Sequence, residues 1–166
     1  ITLSSDEMGS IQFSGLGGDG ALSAMDDKTP NAYEESWDIT AGNAAPPGGM
    51  TADNMFTYKS PSVSGAVLTI GYVPGGSTGA PNGGYTDFGV TISPEAVEGL
   101  TVGFAMGETE ETAGTTIDEQ AMYAKYSYGS LTVGYQRNET DGASNTNDVE
   151  FTAIGVTYAV TDDITI

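Results

Sequence analysis

Apolar and small residues alternate with a period of two along most of the chain, and this pattern restricts the possible fold more than any other feature. Residues 66–73 read AVLTIGYV, in which Leu68 and Ile70 share one face while Thr69 and Gly71 share the other. The alternation recurs in residues 55–60, 85–93, 100–107, 121–128, 131–137 and 150–158. Because successive side chains of a strand point to opposite faces of its sheet, the pattern predicts an all-β chain.

The segments between these predicted strands alternate between short and long. The short connections are residues 61–65, 94–99, 129–130 and 159–163, and the long, polar ones are residues 75–84, 109–117 and 139–148. All short turns then lie on one side of the sheet and all long loops on the other, which is an up-and-down meander. Short turns opposite long loops are typical of outer-membrane barrels, so we predict an antiparallel up-and-down transmembrane β-barrel.

The composition of the two strand faces supports a membrane location. One face is apolar, and the other is largely Thr, Gly, Ala and Ser, without the Lys, Glu, Gln and Arg that usually cover the wet face of a soluble sandwich. Tyrosines on the apolar faces lie near strand ends, at positions 58, 72, 128, 135 and 158. Because aromatic girdles meet the lipid headgroups, the apolar face is predicted to contact lipid.

The charge and the missing residue types exclude several functions. The chain has no cysteine and no histidine, so catalytic arrangements that need a thiolate or an imidazole are excluded. Twenty-three acidic residues oppose four basic ones, for a net charge of −19. Such a chain will not bind nucleic acid by neutralising phosphates, and a pore lined by it should favour cations. We expect no enzymatic activity.

Residues 15–54 interrupt the alternation for about forty residues, which is long for a loop inside a compact domain and points to a function. The middle of this segment is acidic and contains the only tryptophan. Its carboxylates belong to Asp26, Asp27, Glu34, Glu35 and Asp38.

The order of these features resembles the Gram-negative general porins, in their alphaproteobacterial form. The residues that carry the resemblance are GSIQFSG after a tight turn, MDDKTPNAYEE in a long acidic loop, the return strand MFTYKSP and the meander that follows. The resemblance covers essentially the whole chain. It implies a homotrimeric outer-membrane channel for passive diffusion of ions and small hydrophilic solutes, in which residues 15–54 correspond to the loop that folds inward and narrows the pore.

The strand count departs from that family. Its barrels have about sixteen strands, as wide water-filled barrels require, whereas roughly nine or ten are predicted here. We therefore expect residues 1–166 to be a single, partial barrel domain from the interior of a longer chain. Arg137 is the only arginine. It lies an even number of residues from Leu131 and Val133 on the same predicted strand, so this parity places it on their apolar face, outside the lumen.

The acids of the long loop have three interpretations. The resemblance makes them the lining of a pore constriction, and a solvated charge run is the simplest alternative. In the third interpretation Asp26, Asp27, Glu34 and Glu35 bind calcium, although they lack the spacing of an EF-hand loop. Strand parity adds three lumen residues, Lys59, Asp87 and Lys125.

Two classes of protein fit these observations. The first is a porin that prefers cations and needs no cofactor, with calcium as a possible ligand. The alternative is an acidic, calcium-binding β-sandwich of the adhesin or surface-layer type.

Overall fold

The computed structural model describes residues 1–25, 27–31, 48–49, 51–76, 83–111, 115–142, 148–161 and 164–166. It confirms the all-β prediction. The strands are β1 (Thr2–Ser5), β2 (Gly9–Ser14), β3 (Gly18–Asp19), β4 (Thr51–Ala52), β5 (Met55–Lys59), β6 (Ala66–Pro74), β7 (Gly84–Ile92), β8 (Leu100–Glu110), β9 (Thr116–Tyr128), β10 (Leu131–Asp141), β11 (Val149–Thr161) and β12 (Ile164–Thr165). A 3-10 turn covers Ser23–Met25.

Ten of these strands form one antiparallel sheet in the order β1-β2-β5-β6-β7-β8-β9-β10-β11-β12, and β3 pairs with β4 in a separate small ribbon. Each strand of the large sheet therefore neighbours the next strand of that sheet along the chain, as the meander prediction requires. The sheet is not closed between β1 and β12, which is consistent with part of a wider barrel. Within the described residues, no helix has the length and apolarity to cross a membrane.

The register of the strands shows how strongly they are tilted. A line of directly paired residues starts at Lys59, the last residue of β5, and ends six strands later at Phe151, ten residues before the end of β11. The short turns lie at one level of a barrel, so this offset of ten residues over six strands measures the tilt of the strands against the barrel axis. With spacings of about 3.3 Å per residue and about 4.8 Å per strand, the tilt is roughly 45–50°. Closure of a barrel requires a tilt of about 35–45°, so the register is close to that of a barrel wall.

Three strands extend further than the alternation of apolar residues predicts. β8 ends at Glu110, β9 begins at Thr116 and β10 ends at Asp141, so the predicted loops at 109–117 and 139–148 are too long. The outward side chains change from apolar to polar part-way along these strands, as from Met106 to Glu108 and from Met122 to Gln120. The hydrogen-bonded ladder continues past the apolar belt, where the outer face is no longer apolar and the period-two signal disappears.

The apolar face of the sheet is the uncovered one. Ile70 is 38% exposed and Tyr72 49%, and the outward side chains Met106, Met122 and Val156 are also exposed. A β-sandwich would instead pack this face against a second sheet. The predicted orientation of Leu68 and Ile70, away from a sealed core, is confirmed.

The buried core lies on the opposite, inner face. Its main residues are Ala21, Leu22, Met25, Met55, Val73, Tyr85, Ala105, Ala121 and Tyr123. The first three belong to residues 15–54 and the others to the sheet, so part of the long loop packs against the small-residue face.

Placing one lysine on each face of β11 tests this orientation. Val156→Lys puts an ammonium on the exposed apolar face and should lower the free energy of unfolding in lipid vesicles by about 2–4 kcal/mol. Thr157→Lys, one residue along on the inner face, should lower the free energy of unfolding much less. Equal losses in urea titrations of the two variants would contradict the assigned faces.

Candidate functional site

Part of the long loop forms a strap across the inner wall. We define the inner strap as residues 20–25 and 27–31, which lie against β6–β11. Leu22 is fully buried, and Ala21 and Met25 are at most 3% exposed. Burial of these apolar side chains against the wall holds the strap inside the curve of the sheet rather than in solvent.

Glycines in the wall make room for the strap. A β-carbon at Gly107 would lie 2.7 Å from a methyl carbon of Leu22, and one at Gly134 would lie 2.4 Å from the δ-carbon of Pro30. A β-carbon at Gly155 would lie 2.3 Å from the Pro30 carbonyl oxygen. These strands therefore carry no side chain where the strap passes, and the two backbones approach closely.

The first polar anchor of the strap is Asp87 on β7. Its Oδ2 accepts hydrogen bonds from the Leu22 backbone N–H at 2.9 Å and from the Tyr85 hydroxyl at 2.8 Å. The Asp87 side chain is completely buried, between the strap and the wall. Parity correctly places it on the inner face, but the strap covers it, so its carboxylate has no exposure to the lumen.

The second polar anchor is Gln136 on β10, which is also completely buried. Its Oε1 accepts a hydrogen bond from the Lys28 backbone N–H at 2.8 Å, and its Nε2 donates to the Met25 carbonyl at 3.1 Å. Nε2 also donates to Asn138 Oδ1 at 2.8 Å. The Gln136 amide thus both accepts a hydrogen bond from the strap backbone and donates one to it, and Asn138 orients the amide.

The other predicted site residues fall into two groups. Lys59 and Lys125 lie on the inner face near the short turns, Lys59 exposed and Lys125 half-buried. Asp27 is half-buried in the strap. The remaining predicted residues, Asp26, Glu34, Glu35 and Asp38, lie outside the described residues.

The calcium interpretation remains a prediction. Three of its four ligands, Asp26, Glu34 and Glu35, lie outside the described residues, and only Asp27 can be placed. Across the part of the chain that the structure describes, no group of three or more acidic residues is arranged to hold a metal ion.

Arg137 lies on the outer face, as its parity predicts. It pairs with Glu139 on its own strand and with Glu150 on β11, the latter at 3.1 Å. Gln120 on β9 donates a hydrogen bond to the same Glu139. This guanidinium therefore belongs to a polar network above the apolar belt and not to the inner wall.

Sequence reasoning missed four inner-face residues: Tyr85, Glu119, Gln136 and Asn138. Glu119 is half-buried, is hydrogen-bonded to the Gly49 backbone and lies opposite Thr140. A signal for Gln136 and Asn138 is present in the sequence, because these two amides stand out among the inward residues of β10, which are otherwise Thr132, Gly134 and Thr140. Such side chains need buried partners, which a long inward loop can supply.

The family comparison agrees with this architecture. The model of the Gram-negative porin family matches residues 4–166. The chain belongs to that family. No curated protein matches the sequence significantly. Gram-negative porins are channel proteins of the bacterial outer membrane, so the exposed apolar face of this porin meets lipid and its small-residue face lines the barrel interior.

The close fit of strap and wall predicts a high cost for one added methyl group. Gly155→Ala puts a β-carbon into the Pro30 carbonyl and should lower the free energy of unfolding by about 1–3 kcal/mol, as overpacking does. Gly15→Ala is the matched control, since its β-carbon would meet only Phe13, at 3.9 Å. If urea unfolding in vesicles gives the same stability for both variants, the strap does not rest on β11.

Proposed function

We propose that this porin passes ions and small hydrophilic solutes by passive diffusion, and that the inner strap forms part of the constriction of its pore. The observation that carries the proposal is the position of the strap, which is buried against the inner face and anchored by hydrogen bonds to β7 and β10. A segment held inside the barrel reduces the free cross-section at that height. As in the general porins that the sequence resembles, the working unit is proposed to be a homotrimer.

The constriction is proposed to carry the acids of the long loop. Asp27 follows the buried residue Met25 by two positions and is half-buried, at the point where the chain leaves the 3-10 turn. Asp26, Glu34, Glu35 and Asp38 belong to the same loop and are proposed to line the pore with it. Asp87 is not proposed as lining, because the strap covers it.

A cation preference is proposed to arise mainly at the mouth formed by the long loops. Among the described residues of the inner face and strap, three acids (Asp27, Asp87 and Glu119) stand against three bases (Lys28, Lys59 and Lys125). The long-loop ends of β8–β11 and their flanks are strongly acidic instead, with Glu108, Glu110, Glu111, Asp118, Glu139, Asp141, Asp148 and Glu150 against Arg137. An excess of negative charge at the pore entrance raises the local concentration of cations there.

A reversal potential across a salt gradient in a planar bilayer tests the preference. We expect a cation-selective sign that is strong in dilute salt and weakens as salt rises, because screening limits the field to about 10 Å at about 0.1 M. Glu108→Gln, which removes one of the mouth acids, should weaken the selectivity, whereas Arg137→Gln, which removes the base among them, should strengthen it. Anion selectivity at low salt, or the same shift in both variants, would refute the proposal.

Chemical labelling tests whether the strap narrows the pore. The chain has no cysteine, so Asp27→Cys supplies a single thiol for a small polar reagent. Labelling should lower the single-channel conductance, because the added group projects into the narrow part of the pore. The control is Ser130→Cys in the short turn after β9, where labelling should leave conductance unchanged. Complete labelling of Asp27→Cys without any drop in conductance would place this part of the strap away from the constriction.

A further inference from the structure

We propose that Asp87 is a positioning residue: its buried carboxylate latches the strap to β7 and thereby sets the free cross-section of the pore. The inference rests on the proposed function, since it assigns the constriction its wall anchor. It differs from the sequence prediction, in which Asp87 was a charge lining the lumen.

The geometry of Asp87 fits a latch for the strap backbone. Its Oδ2 accepts the Leu22 N–H and the Tyr85 hydroxyl together, so the wall itself orients the oxygen that binds the strap. The bond is made to the strap's backbone, and it fixes the path of the chain whatever side chain position 22 carries. Leu22 is fully buried beside it, so its N–H has no access to water and depends on this acceptor.

Two glycines are required for the approach. A β-carbon at Gly20 of the strap would lie 2.2 Å from Asp87 Oδ2, and one at Gly71 of β6 would lie 2.3 Å from Oδ1. The carboxylate therefore occupies the volume that side chains at both positions would fill. The strap, β6 and β7 are shaped around this one group.

A buried carboxyl group at this place is a costly way to gain stability alone. Oδ2 accepts two hydrogen bonds, but Oδ1 is buried without a hydrogen-bond partner among the described residues, and a buried polar oxygen without such a partner is unfavourable. A hydrogen bond adds direction, because it holds only when donor and acceptor are aligned. The carboxylate thus specifies where along the wall the strap lies, which apolar contacts alone leave loosely determined.

The two polar anchors hold different parts of the strap. Asp87 on β7 binds position 22, while Gln136 on β10 binds positions 25 and 28. Loss of Asp87 should therefore free the beginning of the strap while Gln136 retains its later part. The expected result is a partly displaced strap in a folded barrel.

Single-channel recordings of two substitutions test the latch. Asp87→Ala removes the acceptor and should change the open-channel conductance and increase the open-channel noise, while the protein still migrates as a folded, heat-modifiable species. Asp87→Asn is the conservative rescue, because its amide oxygen can still accept the Leu22 N–H while its NH2 group takes the place of Oδ1. Conductance and noise of Asp87→Asn should be close to those of the native porin.

A reversible covalent latch gives the sharper test. The β-carbon of a residue at position 20 would lie 2.7 Å from the Asp87 γ-carbon, which brings the two β-carbons within disulfide reach, about 4.5 Å or less. In the variant G20C/D87C the disulfide replaces the hydrogen bond at the same place, and no other cysteine competes. The oxidised channel should have native conductance and noise, and a reductant should convert it to the behaviour of Asp87→Ala.

The possible outcomes separate the latch from the proposed function. If Asp87→Ala behaves like the native channel, if Asp87→Asn is as disturbed as Asp87→Ala, or if reduction of G20C/D87C changes nothing, Asp87 does not position the strap. If Asp87→Ala fails to fold, the comparison of oxidised and reduced G20C/D87C within one folded sample decides whether the contact between positions 20 and 87 holds the strap. A native protein that forms no channels in bilayers overturns the proposed function instead.

Discussion

The structure depends on one constraint, which is that backbone amides and carbonyls inside a bilayer must find their partners within the protein. A sheet of sequential antiparallel strands meets this need, and each central strand here is paired along both sides. The tilt indicated by the register is close to that of a barrel wall, and the two faces of the sheet have different surroundings. Side chains on the convex face meet lipid, and those on the concave face meet whatever fills the barrel.

The concave face is built to hold the strap. Its strands carry glycine or alanine where the strap passes, so apolar residues such as Leu22 are buried against backbone and small side chains. Burial favours contact between strap and wall without fixing its position, because the hydrophobic effect has no direction. The hydrogen bonds of Asp87 and Gln136 supply that direction, so apolar contacts and polar anchors act together.

The charge is distributed by height along the strands. Near the short turns the outer face is apolar, and the inner face carries Lys59 and Lys125. Towards the long loops the outward residues become acidic, and Arg137 lies among them, paired with Glu139 and Glu150. The strands continue through this acidic region because their backbone ladder does not depend on the apolarity of the side chains.

The sequence by itself determined the strands, their two faces and the meander, because a period of two and the alternation of short and long connections are local properties. It also placed Arg137 outside and Asp87 inside, since parity follows from the strand alone. It did not reveal the full length of β8–β10, where apolarity ends before the ladder does. Only the tertiary structure decided that Asp87 is a covered anchor and that Gln136 binds the strap. Their partners lie 65 and 108 residues away along the chain, and such contacts arise only when the long loop folds back onto the curved wall.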